Sequence, residues 1–127
     1  MIYISTSCIR ANTIKESVIS IAKEGFKNIE LSGGTTYYPS YETDLMELKN
    51  KFQLNYLIHN YFPPPKKPFV INLASLNDEI YTTSINHCKN AIRLSRRFEC
   101  QKYGIHAGFL LDISVNEIGK TITKKIF

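Results

Sequence analysis

The sequence predicts an α/β protein built from parallel strand–helix units. Short runs of β-branched and aromatic residues alternate with stretches of helical periodicity, in the order strand, helix, strand, helix, strand, helix, strand. Polar residues follow the predicted strands, and helices of this length connect parallel strands rather than antiparallel ones. We therefore expect one parallel sheet with its helices packed outside it.

The first two units each contain a short strand and an amphipathic helix. Residues 2–4 form a β-rich run, and Thr13 and Glu16 then have the spacing of a capping box. The first helical stripe is Ile14, Val18, Ile21 and Ala22, before Gly25. Residues 29–31 are predicted as the second strand, and the second helix, of about three turns, is marked by Leu45, Leu48 and Phe52.

The third and fourth strands each end in a histidine. The third, residues 55–59, ends at His59 before three consecutive prolines, which allow neither strand pairing nor helix. The fourth, residues 103–106, ends at His106. Between them a long helix is predicted after the N-cap spacing of Ser75 and Asp78. Its stripe is Ile80, Ser84, Cys88, Ala91, Ser95 and Phe98, widened by Ile92 and Leu94.

Length and composition indicate one cytoplasmic domain. The 127 residues are 43% apolar and 21% charged, and the net charge is +5. Lysines near the end supply much of the excess positive charge, and no basic stripe alternates with aromatics, so we do not expect nucleic-acid binding.

The sequence contains neither a signal-peptide pattern nor an apolar stretch of about 20 residues, so we expect no membrane partner. Cys8, Cys88 and Cys100 form no CxxC motif and are expected to be reduced thiols.

Four parallel strands leave two open edges, whereas a closed barrel has eight strands in about 250 residues. The sheet is therefore either open or the first half of a TIM barrel, with residues 1–127 as one N-terminal part. The end of the sequence soon after the fourth strand favours the half-barrel. Residues 113–127 are weakly patterned, although Val115, Ile118 and Ile122 are spaced to begin another helix.

Three motifs together resemble the sugar phosphate isomerase/epimerase family, which belongs to the xylose-isomerase-like TIM barrels. They are Ile29-Glu30-Leu31-Ser32-Gly33-Gly34, then Ile58-His59-Asn60-Tyr61-Phe62-Pro63-Pro64-Pro65 with Asn72-Leu73-Ala74-Ser75, then Gly104-Ile105-His106-Ala107-Gly108-Phe109. The likeness extends to about Asp112 and covers the N-terminal half of the family's barrel. It implies a divalent-metal enzyme, using zinc, manganese or magnesium, that acts on a phosphorylated or nucleotide-linked sugar.

The resemblance places His59 and His106 in the active site. The superfamily also includes endonuclease IV-type apurinic endonucleases, in which the matching histidines bind zinc, whereas in the isomerase branch they more often line the substrate site. Both roles stay open. Imidazole serves either role near neutral pH, and isomerisation beside a carbonyl needs a base and a metal to hold the oxyanion.

Several other residues are candidates for the same site. Glu30 interrupts an apolar strand, where a buried carboxylate requires a partner, so it is either a catalytic carboxylate or half of a structural ion pair. The candidate substrate-binding residues are Ser32, Gly33, Gly34, Asn60 and Tyr61. The glycines permit close approach of a phosphate, and the aromatic ring can stack on a sugar. His87, within the third helix, is interpreted as structural.

Three functional hypotheses follow. The first is a sugar phosphate isomerase/epimerase-like protein that is inactive until the second half of the barrel is supplied, because the family's main metal ligands lie on later strands. The second is an apurinic endonuclease relative that binds DNA and zinc. The third is a non-catalytic half-barrel that self-associates through its exposed sheet edges.

Overall fold

The structure, a computed structural model that describes residues 1–120, contains a four-stranded parallel sheet and three α-helices. The strands are β1 (Ile4–Ser5), β2 (Asn28–Leu31), β3 (Asn55–His59) and β4 (Tyr103–Gly104). The helices are α1 (Ile14–Lys23), α2 (Tyr41–Phe52) and α3 (Asp78–Arg97), and short 3-10 turns occupy Thr6–Cys8 and Val115–Glu117. The predicted α/β class and the alternation of strands and helices are confirmed.

The strands lie side by side in chain order, β1-β2-β3-β4, and every neighbouring pair is parallel. Ile29 of β2 is level with Ile4 on one side and with Tyr56 on the other. At the other end of the sheet, Ile58 of β3 is level with Tyr103 of β4. The sheet is therefore wound in one direction, with one helix in each of the three crossovers.

The core lies between one face of the sheet and the helices. Alternate strand residues point to this face, and Ile29, Leu31 and Ile58 are completely buried there. The Tyr56 hydroxyl points the same way and donates to the Leu45 carbonyl at 3.1 Å. The helices complete the core with Ile14, Val18, Ile21, Leu45, Leu48, Ala91, Leu94 and Phe98.

The opposite face of the sheet carries the intervening residues Glu30, Leu57 and His59, which are all partly exposed. Parallel sheets are usually covered on both faces. In the part of the chain that the structure describes, the hydrophobic core occupies one face only. A half-barrel and an open sheet share this arrangement, so the half-barrel stays a prediction.

The helix starts show which local signals the fold uses. The predicted capping box of α1 is confirmed, because Thr13 Oγ1 accepts from the Glu16 amide at 3.3 Å and Glu16 Oε2 accepts from the Thr13 amide at 3.1 Å. The predicted N-cap of α3 was wrong. Asn77 caps this helix through Oδ1, which accepts from the amides of Glu79 and Ile80 at 3.0 and 3.2 Å.

Several other predicted boundaries, and one predicted buried position, differ from the structure. The first strand begins at Ile4, and Ile2 is 82% exposed. The fourth strand ends at Gly104, so His106 lies in the loop beyond it. Ile92 is 52% exposed and does not widen the buried stripe of α3, whereas Leu94 does. Val115 begins a 3-10 turn, and Ile122 lies outside the described residues.

The three thiols, Cys8, Cys88 and Cys100, are all free, as the sequence predicts. Burial raises the pKa of the Cys100 thiol to about 11, which disfavours the reactive thiolate at neutral pH.

No helix formed by residues 1–120 combines the length and apolar character needed to cross a membrane.

Candidate functional site at the carboxyl edge of the sheet

Glu30, His59 and His106 come together where strands β2, β3 and β4 end. In the pairing of β2 with β3, Glu30 is level with Leu57, so His59 lies two residues further along β3 on the same face. This is the face without the hydrophobic core. His106 follows β4 by two residues, in the loop beside His59. The prediction that both histidines lie at one edge of the sheet agrees with this geometry.

Glu30 and His59 form a hydrogen-bonded pair. Glu30 Oε1 lies 3.0 Å from His59 Nδ1, and the two side chains are 25% and 32% exposed. An ionised carboxylate can only accept, so Nδ1 carries the hydrogen of the bond. In the neutral imidazole, Nε2 is then left with a free lone pair. The Glu30 carboxylate thus has the polar partner that its place in an apolar strand requires, and this partner, His59, is itself a candidate site residue.

The His106 ring packs against the edge of the His59 ring. Their centroids are 5.5 Å apart with an interplanar angle of 72°. Gly104 makes room for this arrangement, because a Cβ atom there would lie 3.1 Å from His59 Cδ2. Nothing in the local sequence distinguishes Gly104 beyond its place in the fourth-strand motif, so its role follows from the structure alone.

Asn60 and Tyr61 link the loops around the histidines. Asn60 is buried and has a φ of 40°, a left-handed conformation that asparagine tolerates better than most residues. Its Oδ1 accepts from the His106 amide at 3.3 Å. The Tyr61 hydroxyl oxygen accepts from the Ile71 amide at 3.0 Å. The Asn60 Nδ2 group and the Tyr61 hydroxyl proton take no part in these bonds.

The residues of the loop after β2 contact two different parts of the protein. The Ser32 amide donates to Thr6 Oγ1 at 2.9 Å, so it is already engaged within the protein. Gly33 packs against Tyr61, where a Cβ atom would come within 2.8 Å of the tyrosine Cβ. Gly34 lines a separate groove together with Ser7 and Arg10. The structure therefore joins Gly33 to the histidine edge and places Gly34 beside α1.

The two histidines fit only part of a metal site. Among residues 1–120, no three His, Cys, Asp or Glu side chains are grouped so as to hold a metal ion. His59 Nε2 and the His106 imidazole are suitable donors, and a carboxylate on Nδ1, as Glu30 provides, is the usual support of a metal-bound histidine. Catalytic zinc has three protein ligands, so at least one more would have to come from elsewhere.

A second polar cluster ties the loop after β3 to the loop after β4. Asn72 Nδ2 donates to Asp112 Oδ1 at 2.7 Å, and the Ser75 hydroxyl donates to Asp112 Oδ2 at 2.8 Å. Asn72 Oδ1 also accepts from the Phe109 amide at 3.0 Å. The sequence does not predict this cluster, because its members are separated by up to 40 residues and no local pattern pairs them.

His87 of α3 also contacts residues of the candidate site. Its Nε2 lies 3.2 Å from the Asn60 carbonyl oxygen, and its ring contacts Tyr61 and Phe69. Burial lowers the pKa of the His87 imidazole. The structural interpretation of His87 is therefore incomplete, because its ring also hydrogen-bonds to Asn60, the residue that follows His59.

Comparison with known proteins identifies no relative. The sequence matches no family model, and neither curated proteins nor solved structures show significant similarity to it. The likeness to the sugar phosphate isomerase/epimerase family consequently rests on the three motifs alone.

Proposed function

We propose that the chain provides the N-terminal half of a sugar phosphate isomerase/epimerase-like barrel and part of its active site. The observation that carries the proposal is the Glu30–His59 hydrogen bond with the His106 ring beside it. Ligands of parallel α/β folds bind at the carboxyl ends of the strands, where these three side chains lie. The one-directional winding of the sheet supports a barrel, because successive strands of a barrel are also neighbours.

The pair has the chemistry of an oriented general base. The lone pair of His59 Nε2 can receive a proton from the carbon beside a sugar carbonyl, and Glu30 then stabilises the imidazolium that forms. Glu30 also holds the ring in the tautomer that leaves Nε2 free. This role requires the substrate to approach from the face of the sheet without the hydrophobic core, where both side chains are partly exposed.

His106 is the described residue best placed to hold a divalent metal ion. His59 Nε2 would be the other imidazole donor only in an alternative arrangement in which a residue of the second half of the barrel acts as the base, because one lone pair cannot both bind a metal and accept a proton. Such an ion, when bound, stabilises the negative charge that develops on the sugar oxygen. Asn60 Nδ2 and the Tyr61 hydroxyl are the nearby groups assigned to sugar hydroxyls. The Gly33 backbone is the part of the glycine loop assigned to the phosphate.

Proton exchange with solvent tests the proposed reaction even when the product is unidentified. The barrel, completed by its second half, is incubated in D₂O with Mn²⁺ and a panel of aldose and ketose phosphates. Deuterium should enter the carbon beside the carbonyl, His59→Ala and His106→Ala should each abolish the exchange, and Glu30→Gln should slow it. Glu47→Gln, which alters an exposed carboxylate of α2, is the matched control for Glu30→Gln and should exchange at the wild-type rate.

Unchanged exchange in both histidine variants would refute the site assignment. A completed barrel that leaves every sugar phosphate unlabelled but nicks abasic duplex DNA with zinc would instead identify an apurinic endonuclease relative. Each outcome therefore selects between the metal-dependent chemistries that the motifs imply.

A self-associating half-barrel is a second candidate, favoured by the partly exposed Leu57 on the face of the sheet opposite the core. The two edge strands, β1 and β4, are open to pairing, although their length of two residues limits how much backbone each can offer. Sedimentation equilibrium of the purified chain tests this idea. A concentration-dependent dimer that Leu57→Lys dissociates would support it, and a folded monomer at all concentrations would exclude it.

A further inference from the structure

Asn60 connects both histidine strands with α3. Its amide donates to the Gly104 carbonyl at 2.6 Å, and its Oδ1 accepts from the His106 amide at 3.3 Å. Its own carbonyl oxygen lies 3.2 Å from His87 Nε2. His59 immediately precedes it in the chain. One buried residue therefore sets where the end of β3, and with it His59, stands relative to His106.

His87 is the only partner of Asn60 that comes from a helix among the described residues. A carbonyl oxygen can only accept, so His87 Nε2 carries the hydrogen of this bond and, in the neutral ring, Nδ1 is unprotonated. The ring is enclosed by Phe69 at a centroid distance of 5.4 Å and by Tyr61 at 6.4 Å. These contacts restrict the ring, so the bond fixes the Asn60 carbonyl to the body of α3.

The conformation of Asn60 makes this support necessary. Its φ of 40° is rare for residues other than glycine, and such a conformation persists when surrounding contacts determine it. The Gly104 and His106 bonds hold the amide and the side chain, and the His87 bond holds the carbonyl. Without the third bond, the Asn60 carbonyl loses its link to α3, and this peptide is held by the turn in which the Phe62 amide donates to the His59 carbonyl at 3.1 Å.

We propose that His87 is a positioning residue, which acts through the Asn60 carbonyl to hold His59 and His106 at the spacing that a shared ligand requires. The inference rests on the proposed function for the identity of that ligand, but the geometric coupling itself does not depend on it. His87 touches neither the substrate nor the metal. A partner bonded directly to a metal-binding histidine, as Glu30 is to His59, changes metal affinity by about 10- to 100-fold when removed. His87 acts one bond further out, so its removal should have a smaller effect.

Two substitutions separate positioning from simple packing. His87→Phe keeps an aromatic ring against Phe69 and Tyr61 but removes the donor. His87→Gln restores a donating amide at similar reach. A third variant, Asn60→Gly, keeps the left-handed backbone and the carbonyl while removing the bond to the His106 amide.

The experiment compares these variants by ¹⁵N NMR and by Zn²⁺ titration, with thermal unfolding recorded for each. His87→Phe should shift the His106 amide resonance, increase its hydrogen exchange and weaken Zn²⁺ binding, by less than the roughly tenfold loss that removal of a direct partner of a ligand causes. His87→Gln should restore all three, and Asn60→Gly should reproduce the change at the His106 amide. A folded His87→Phe protein with an unchanged His106 amide, or a His87→Gln protein that fails equally, would overturn the proposal. If the wild-type protein binds no Zn²⁺, the metal part of the proposed function fails, while the amide resonances still decide this inference.

Discussion

Glu30 illustrates what a single residue in the sequence can and cannot predict. A carboxylate inside an apolar strand requires a partner, and that much follows from desolvation alone. The identity of the partner depends on the register of β2 against β3, which places Leu57 level with Glu30 and His59 two residues beyond. Register is a tertiary property, so the sequence left the choice between site carboxylate and ion pair open.

His87 provides a prediction about pH at the residue scale. Burial lowers its pKa in the folded protein below the value of about 6.5 expected in the unfolded chain. The unfolded state therefore binds more protons below that pH, so the stability contribution is complete at higher pH and is lost as the pH falls. Urea unfolding should show a steeper loss of stability from about pH 7 to about pH 5 for the wild-type protein than for His87→Phe. Parallel profiles would contradict the buried neutral state of His87.

At the scale of elements, local signals predicted some helix and strand limits and missed others. The α1 capping box was predictable because Thr13 and Glu16 are three residues apart and bond to each other's amides. The start of α3 was not, because Ser75, Asn77 and Asp78 are all good caps. The Ser75 hydroxyl instead donates to Asp112, which lies far downstream in the sequence. The third strand was predicted with the observed bounds of Asn55–His59.

The N-cap of α3 can be tested directly. Asn77→Ala removes the acceptor for the amides of Glu79 and Ile80, and it should lower the free energy of unfolding by about 1 kcal/mol. Asn86→Ala is the matched control, since Asn86 is exposed within the same helix and alanine favours helix there. Urea denaturation of both variants measures the difference. Equal stability of the two proteins would show that Asn77 does not cap α3.

The same helix is attached to α2 by charge. Glu42 accepts from Arg93 at 2.7 Å and from Arg97 at 2.8 Å, and the Arg93 hydrogen bond holds the pKa of the Glu42 carboxyl below its usual range. Because both arginines are about half exposed, the contribution to stability is modest, on the order of 1 kcal/mol or less. Two arginines on the outer part of α3 thus link it to a neighbouring helix.

For the whole molecule, the alternation of strands and helices predicted the parallel sheet, and the structure confirms it. The sequence did not predict that the described core would occupy one face only. Glu30, Leu57 and His59 alternate with buried residues, yet their side of the sheet could have been covered by other segments. This one-sided arrangement leaves Glu30, Leu57 and His59 partly exposed. The closure of the sheet into a barrel stays a prediction.

Titration of the purified chain with Zn²⁺ by calorimetry tests most directly whether Glu30, His59 and His106 form one site. The proposed arrangement predicts a single weak site per chain that is lost in His59→Gln and in His106→Gln and weakened by about tenfold in Glu30→Gln. Glu47→Gln should bind as the wild-type protein does. Binding that survives both histidine substitutions, or no binding by any folded variant, would contradict a shared metal site at this edge of the sheet.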